Sequence, residues 1–349
     1  MRAFAVLQMV QGHTIDVLLS NSLRNLDNPL FNAWFFMRGM TAPIFLFSAG
    51  TVFTYLFRLN NQPFRSNPRV KKGIKRFLLL IFLGYLLRYP TATIFGFSQV
   101  SESSWKIFFA VDVLQLIGFG ILYIIILLYL GEKIKINDYI ILGLGAAINF
   151  ILFPIFDKIN WVNFLPVPVA GYFYKQTGSN FPLFPWAGFV ICGAVLGSYL
   201  AKNPLVFKSA KFCFNMFTAA VLFIGFGFLA QWIETFFYTG SSVFSSDPHL
   251  IFIRLGFVLL LNSIVAFIAL KIENIPKLLI LIGRNTLLIY IVHLVILYGS
   301  AWNPGLDLIF ANNLNAWQSI GAAAIMILLM TGMVLLVNKF KIRNKQLVT

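Results

Sequence analysis

Charge is scarce in this chain. Only 11% of its 349 residues are charged, and 11 acidic residues face 27 lysines and arginines. Histidine occurs three times and cysteine twice. Cys192 and Cys213 both fall in hydrophobic stretches, which argues against a disulfide framework and a cysteine-based zinc site. Three histidines far apart in sequence form no metal motif, so no metal is expected. No soluble domain and no long linker interrupt the chain. The start, Met1-Arg2 before an apolar stretch, superficially resembles a signal peptide. Gln8, Gln11, His13 and Asp16 break up the apolar region, and no A-x-A cleavage pattern follows, so a retained first helix is expected.

What the chain has in abundance is hydrophobicity: 59% of residues, with a mean hydropathy of +0.83. Apolar runs of about 20 residues recur along nearly the whole length, the length needed to cross a bilayer core. The predicted fold class is therefore all-α, a polytopic transmembrane helix bundle forming one domain over residues 1–349. Ten spans are predicted, at about 2–20, 33–57, 77–95, 108–130, 139–156, 183–200, 212–231, 250–270, 278–298 and 317–338.

The formal charge of +16 brings nucleic acid to mind, but its placement points to the lipid bilayer instead. Arg58, Arg65, Arg69, Lys71, Lys72, Lys75 and Arg76 crowd the stretch after the second span. Lys133 and Lys135, then Lys202, Lys208 and Lys211, then Lys271 and Lys277 fill later alternate loops, and Lys339, Lys341, Arg343 and Lys345 the tail. The opposite loops hold Arg24, Lys106, Lys158 and Lys175. This positive-inside pattern puts both termini in the cytoplasm. The longest outer loop, about 157–182, is rich in aromatic and turn residues, suited to lying in the interface or capping a cavity.

Two spans are irregular. The second carries Arg38, Gly39, Pro43 and Gly50; the sixth carries Pro182, Pro185, Gly188, Gly193 and Gly197. Such residues either kink and pack helices or shape an internal cavity.

Ionisable residues inside a membrane are functional candidates because their desolvation must be compensated. Here they are His13, Asp16, Arg38, Arg88, Asp112, Glu234, Arg254, Arg284 and His293, with Gln115 and Tyr290 as polar companions. Asp16, Asp112 and Glu234 are the expected partners of Arg38, Arg88 and Arg254. The Arg88–Asp112 pair would either hold neighbouring helices or serve a site. Arg254 and Glu234 lie near the outer edge, where snorkelling explains them. His249, in the turn DPHL, is expected at the interface. His293 is either a helix–helix hydrogen bond or part of a site. His13 and Asp16, an i,i+3 pair, suit a base with an orienting acid.

Arg2 precedes His13 by eleven positions. At about 100° and 1.5 Å per residue this puts both on one helix face, roughly 16–17 Å apart. Arg2 then lies at one membrane edge, with Arg284 on the same side, and His13 near mid-membrane.

This R-x10-H pattern, MRAFAVLQMVQGH, resembles the signature of integral-membrane acyltransferases of the acyltransferase-3 type. Five further stretches resemble the bacterial relatives of heparan-α-glucosaminide N-acetyltransferase. They are RGMTAPIFLFSAG (38–50), DVLQLIG (112–118), FPLFPWAGFVICGAVLG (181–197), DPHLIFIRLG (247–256) and IGRNTLLIYIVHLVILYG (282–299). Two departures stand out. Relatives carry a short acidic lead before the arginine, which would be missing here. The lysosomal relative's key histidine lies in the loop after the first helix, where NSLRNLDNPLFNAW has none.

The resemblance implies a multi-pass enzyme of the bacterial inner membrane that passes an acetyl or acyl group from cytoplasmic acetyl-CoA to an extracytoplasmic acceptor, typically a sugar hydroxyl or amine. Arg2 and Arg284 would hold the donor's phosphates, with help from the basic stretch 58–76. His13 would be the general base, Asp16 its orienting acid and Arg38 the oxyanion's partner. Arg88, Asp112, Tyr290 and His293 would meet the substrate. A secondary transporter or lipid/sugar flippase is the alternative, since buried charges and broken helices suit it equally. A structural partner in envelope-polysaccharide assembly is the third.

Overall fold

The computed structural model describes residues 1–59, 62–237, 247–272 and 274–346. The side chain of Lys345, counted in the basic tail, lies outside the described residues. The helices in chain order are α1 (Arg2–Leu18), α2 (Pro29–Arg58), α3 (Pro68–Leu87), α4 (Glu102–Phe109), α5 (Val113–Lys133), α6 (Asp138–Lys158), α7 (Val167–Ala170), α8 (Leu183–Lys202), α9 (Ala210–Phe237), α10 (His249–Lys271), α11 (Lys277–Arg284), α12 (Thr286–Tyr298), α13 (Asp307–Phe310) and α14 (Ala316–Gln346). The described residues form no strand beyond two isolated bridges.

Among the described residues, seven passages are long and apolar enough to cross a membrane, and eight when α11 and α12 count as one bent passage. This is an integral, multi-pass membrane protein. The other two predicted spans correspond to α1 and α3. At 17 residues, α1 rises about 25 Å, somewhat short of a ~30 Å core. The N-terminal half of α3 carries Arg69, Lys71, Lys72, Lys75 and Arg76.

Three predicted boundaries need correction. The span placed at 77–95 is a helix from Pro68 to Leu87, so much of the basic stretch is helical. Asn67 caps it by accepting from the Arg69 N–H, and Pro68 occupies the first turn, where no N–H is missed. Hydropathy registers only its apolar second half. The span placed at 108–130 is divided by Ala110–Asp112, and Asp112 caps α5 in a capping box with Gln115. The span placed at 278–298 bends by 72° at Asn285.

The chain forms two compact units. In the first, Met1–Phe45 with Ile272–Thr349, α1 packs against α11, α12, α13 and α14. Backbone hydrogen bonds tie the end of α1 to the segment after α13: Asn312 N donates to Val17 O, Leu314 N to Leu18 O and Ser20 N to Leu314 O.

In the second unit, Leu46–Lys271, α5 packs on α3, α6 and α8, α6 packs on α8, and α9 packs on α10. Glycine allows the closest approaches. A Cβ at Gly193 would overlap the Phe47 carbonyl, and one at Gly197 the Thr51 carbonyl, so α8 lies backbone to backbone on α2. A Cβ at Gly84 would overlap the buried amide of Gln115, which occupies that space between α3 and α5.

Candidate functional site

α1 presents its polar residues to two neighbours. Arg2, in its first turn, donates from Nη2 to Thr286 Oγ1 on α12 at 2.5 Å. Gly283, just before the bend, lies against Arg2 and Ala3, which brings the exposed Arg284 to the same end of α1. Eleven residues on, His13 Nδ1 meets His293 Nε2 on α12 at 3.2 Å. One face of α1 therefore carries Arg2 and His13, as predicted, and α12 meets both.

The hydrogen bonds of His293 fix the proton positions in this pair. His293 is completely buried, and its Nδ1 lies 2.7 Å from the Ile289 carbonyl. A carbonyl can only accept, so this nitrogen carries the hydrogen. In the neutral imidazole Nε2 then holds a lone pair, which accepts from His13 Nδ1–H. The remaining nitrogen of His13, Nε2, is left with the basic lone pair. Tyr290 lies edge-on to His293, with ring centroids 5.8 Å apart, and Tyr298 edge-on to His13 at 6.3 Å.

The expected Asp16–His13 pair does not form. Arg38 Nη2 on α2 donates to Asp16 Oδ2 at 2.5 Å, and Arg24 Nη1 stands 3.9 Å from Oδ1. A carboxylate prefers these charge-assisted bonds to a neutral ring. Arg24 also grips the end of α1, donating to the Asp16 carbonyl at 2.5 Å and to Asn312 Oδ1 at 2.7 Å. The orienting partner that His13 acquires is His293, whose two nitrogens are both engaged within the protein.

Beside this cluster lies a cavity of about 190 Å³, between the last turn of α1 and the start of α2. Asp16, Arg24, Phe31, Trp34 and Phe35 line it. The indole N–H of Trp34 is buried without a hydrogen-bond partner. Sequence reading placed Arg24 among loop charges and passed over Trp34. The available signal was an aromatic cluster, FNAWFF, following a charged turn at the start of a span.

The remaining predicted site residues belong to the second unit. Arg88 Nη2 donates to Asp112 Oδ2 at 2.6 Å, as expected. The same carboxylate caps α5, so the pair locks the end of α3 to the start of α5. Arg254 does not take Glu234. Its guanidinium lies 5.2 Å from the Trp186 ring centroid, and its Nε has no hydrogen-bond partner. Glu234 instead accepts from the His249 backbone N–H and lies 2.7 Å from its Nδ1. His249 is thus buried and paired, because the start of α10 presents both its groups to the end of α9.

Two other polar clusters were not foreseen. Asp138 binds Arg58 at 2.7 Å, Lys202 at 2.8 Å and Ser198 at 3.0 Å. The hydroxyls of Tyr85 and Tyr172 meet at 2.9 Å, and burial raises the Tyr172 phenol well above its usual range. Among the described residues no His/Cys/Asp/Glu group is arranged to hold a metal ion.

In comparisons with known proteins, the family described as heparan-alpha-glucosaminide N-acetyltransferase, catalytic, matches residues 1–233. No curated protein and no solved structure matches the chain.

Proposed function

The chain belongs to the heparan-α-glucosaminide N-acetyltransferase catalytic family, and from that premise we propose that it moves an acetyl group from acetyl-CoA in the cytoplasm to a saccharide on the opposite side of the membrane. In this reading α1 and α3 also cross the bilayer, giving ten spans with both termini cytoplasmic. The bilayer is the plasma (inner) membrane.

One observation carries the reading: Arg2 and His13 lie on a single face of α1, and α12 meets both. Arg2, with Arg284 beside it, holds the donor's phosphates through its fork of N–H groups. The donor's flexible arm runs along α1 and brings the thioester to His13. His13 Nε2 takes the proton from the acceptor's hydroxyl or amine as that oxygen or nitrogen attacks the thioester carbonyl. The C–S bond breaks as the tetrahedral intermediate collapses, and the leaving sulfur takes the proton from the imidazolium. Arg38, anchored by Asp16, supplies positive charge for the oxyanion. His293 keeps His13 in the tautomer that has Nε2 free. Arg88 and Asp112 hold the second unit's helices α3 and α5 together.

Acetyl-CoA turnover by purified protein tests this. His13→Ala with wild-type transfer rules the scheme out. The transporter reading draws on the 72° break between α11 and α12, since discontinuous helices line carrier sites. Saturable, salt-sensitive CoA binding lost in Arg2→Ala excludes it, whereas substrate flux without acetyl transfer supports it.

A further inference from the structure

In the second unit the ends of four helices meet around a cavity of about 210 Å³, lined by Arg58, Gly131, Glu132, Lys135, Asp138 and Lys202. Arg58 ends α2, Lys202 ends α8 and Asp138 opens α6; the others belong to the last turn of α5 and the turn after it. The nearly buried Arg58–Asp138 pair forms the floor. Glu132, Lys135 and Lys202 are exposed, so the cavity opens at the surface. Its depth follows from helix length. α5, α6 and α8 have 21, 21 and 20 residues. At 1.5 Å per residue they rise about 30–32 Å, the thickness of a bilayer's hydrocarbon core. A cavity at one end of all three is therefore level with the lipid headgroups. Ile134, Ile140 and Leu205, close by in the chain, are more than half exposed and offer apolar surface to acyl chains.

The charges favour an anion. Asp138 already accepts from Arg58, Lys202 and Ser198, and both oxygens of Glu132 accept from the Phe64 N–H. Three cations against two carboxylates leave one positive charge over. An ammonium has three N–H donors, and Lys202 gives one to Asp138. Lys135 occupies the left-handed position that closes α5, with φ +56°, where glycine is the usual residue. The Ile136 N–H donates to the Gly131 carbonyl there at 2.8 Å, which completes the helix end. The backbone thus gains nothing from lysine at this position, whereas the cavity gains a cation. A phosphodiester brings one negative charge and oxygens that accept. A zwitterionic headgroup brings a further cation with it.

We propose that this cavity binds the phosphate of an anionic phospholipid. The phosphate oxygens accept from the Lys135 and Lys202 ammonium groups above the Arg58–Asp138 pair, and the lipid ties together the ends of α2, α5, α6 and α8. In the orientation proposed above this lipid belongs to the cytoplasmic leaflet. The site does not depend on acetyl transfer.

Native mass spectrometry of the full chain, released from detergent micelles, counts the lipids it retains. One phosphatidylglycerol per chain is expected to be held about tenfold more tightly than phosphatidylcholine. Lys135→Gly is expected to weaken that retention about fivefold, the loss of one basic residue at a lipid surface. Its unfolding temperature in detergent without added lipid should be unchanged or higher, because glycine suits the left-handed position. Lys211→Gln removes an exposed lysine at the start of α9, outside the cavity, and should leave retention unchanged. Excess inorganic phosphate or CoA is expected not to displace the lipid. Equal losses in Lys135→Gly and Lys211→Gln reveal a diffuse basic surface and overturn the proposal. So do phosphatidylcholine held as tightly as phosphatidylglycerol, no retained lipid at all, and displacement by inorganic phosphate or CoA.

Discussion

Thr286 and His293 stand seven positions apart on α12 and receive Arg2 and His13, which stand eleven apart on α1. Seven helical residues turn about 700°, so the two receivers share one face and are about 10–11 Å apart. The donors on α1 are about 16–17 Å apart. The extended Arg2 side chain spans much of the difference. Removing the Thr286 hydroxyl takes one hydrogen-bond partner from Arg2 without removing its charge. Thr286→Val is therefore expected to raise the KM for acetyl-CoA less than Arg2→Ala, for which about tenfold is expected. The Arg2→Ala effect should shrink as salt is added, because screening weakens the wild-type contact. A KM unchanged in both variants refutes phosphate binding at this end of α1.

The histidine pair makes a sharper prediction. His13→Ala removes the base and is expected to lower kcat by roughly 10²–10⁴. His293→Leu leaves His13 in place but removes the acceptor for its Nδ1–H, so both tautomers become accessible. Its expected cost is smaller, about tenfold, with the KM for acetyl-CoA unchanged. His293→Gln retains a carbonyl oxygen able to accept that hydrogen and should recover much of the loss. Equal activity of the Leu and Gln variants shows that His293 acts by packing alone.

Asp112 does two jobs, and two substitutions separate them. Asp112→Asn keeps a side-chain oxygen able to cap α5 but gives up the ion pair with Arg88. Asp112→Ala gives up both, and its extra cost over Asn is expected to be about 1 kcal/mol, read as a lower unfolding temperature in detergent. Identical temperatures for the two variants mean that the cap contributes nothing. Because the second unit's helices carry this pair, both variants are expected to lose stability before catalytic efficiency.

The all-helical fold could be read from residue type alone, since apolar runs of span length leave the backbone few alternatives in a bilayer. Boundaries shifted where a local cap outweighed hydropathy, as at Asn67 and Asp112, because capping is a side-chain event that a sliding average cannot register. The bend at Asn285 was hidden for a related reason: α11 and α12 are both apolar enough to read as one run. In the site, the Arg2–His13 register followed from helix periodicity. What His13 would face did not, because His293 lies 280 positions away and only packing joins them. Pairing by opposite charge placed Arg38 with Asp16 and Arg88 with Asp112 but misplaced Glu234. At that position His249, at the start of α10, lies nearer than the arginine a turn and a half further on.

The close contact of α8 with α2 gives a prediction about folding rather than chemistry. In a membrane the lipid tails are as apolar as leucine, so helices associate largely by shape, and small residues let backbones touch. At Gly193 even one methyl group would overlap the Phe47 carbonyl, and a backbone atom cannot swing aside as a flexible side chain can. Gly193→Ala is thus expected to cost about 1–3 kcal/mol, the usual range for overpacking. Gly225 on α9 is the control, since nothing lies within 4 Å of where its Cβ would be. There the same substitution should be neutral, or stabilising by up to about 1 kcal/mol, because alanine favours helix over glycine. Unfolding temperatures of the two variants in the same detergent decide the matter. If both rise, the α2–α8 contact is looser than described and Gly193 serves no packing purpose.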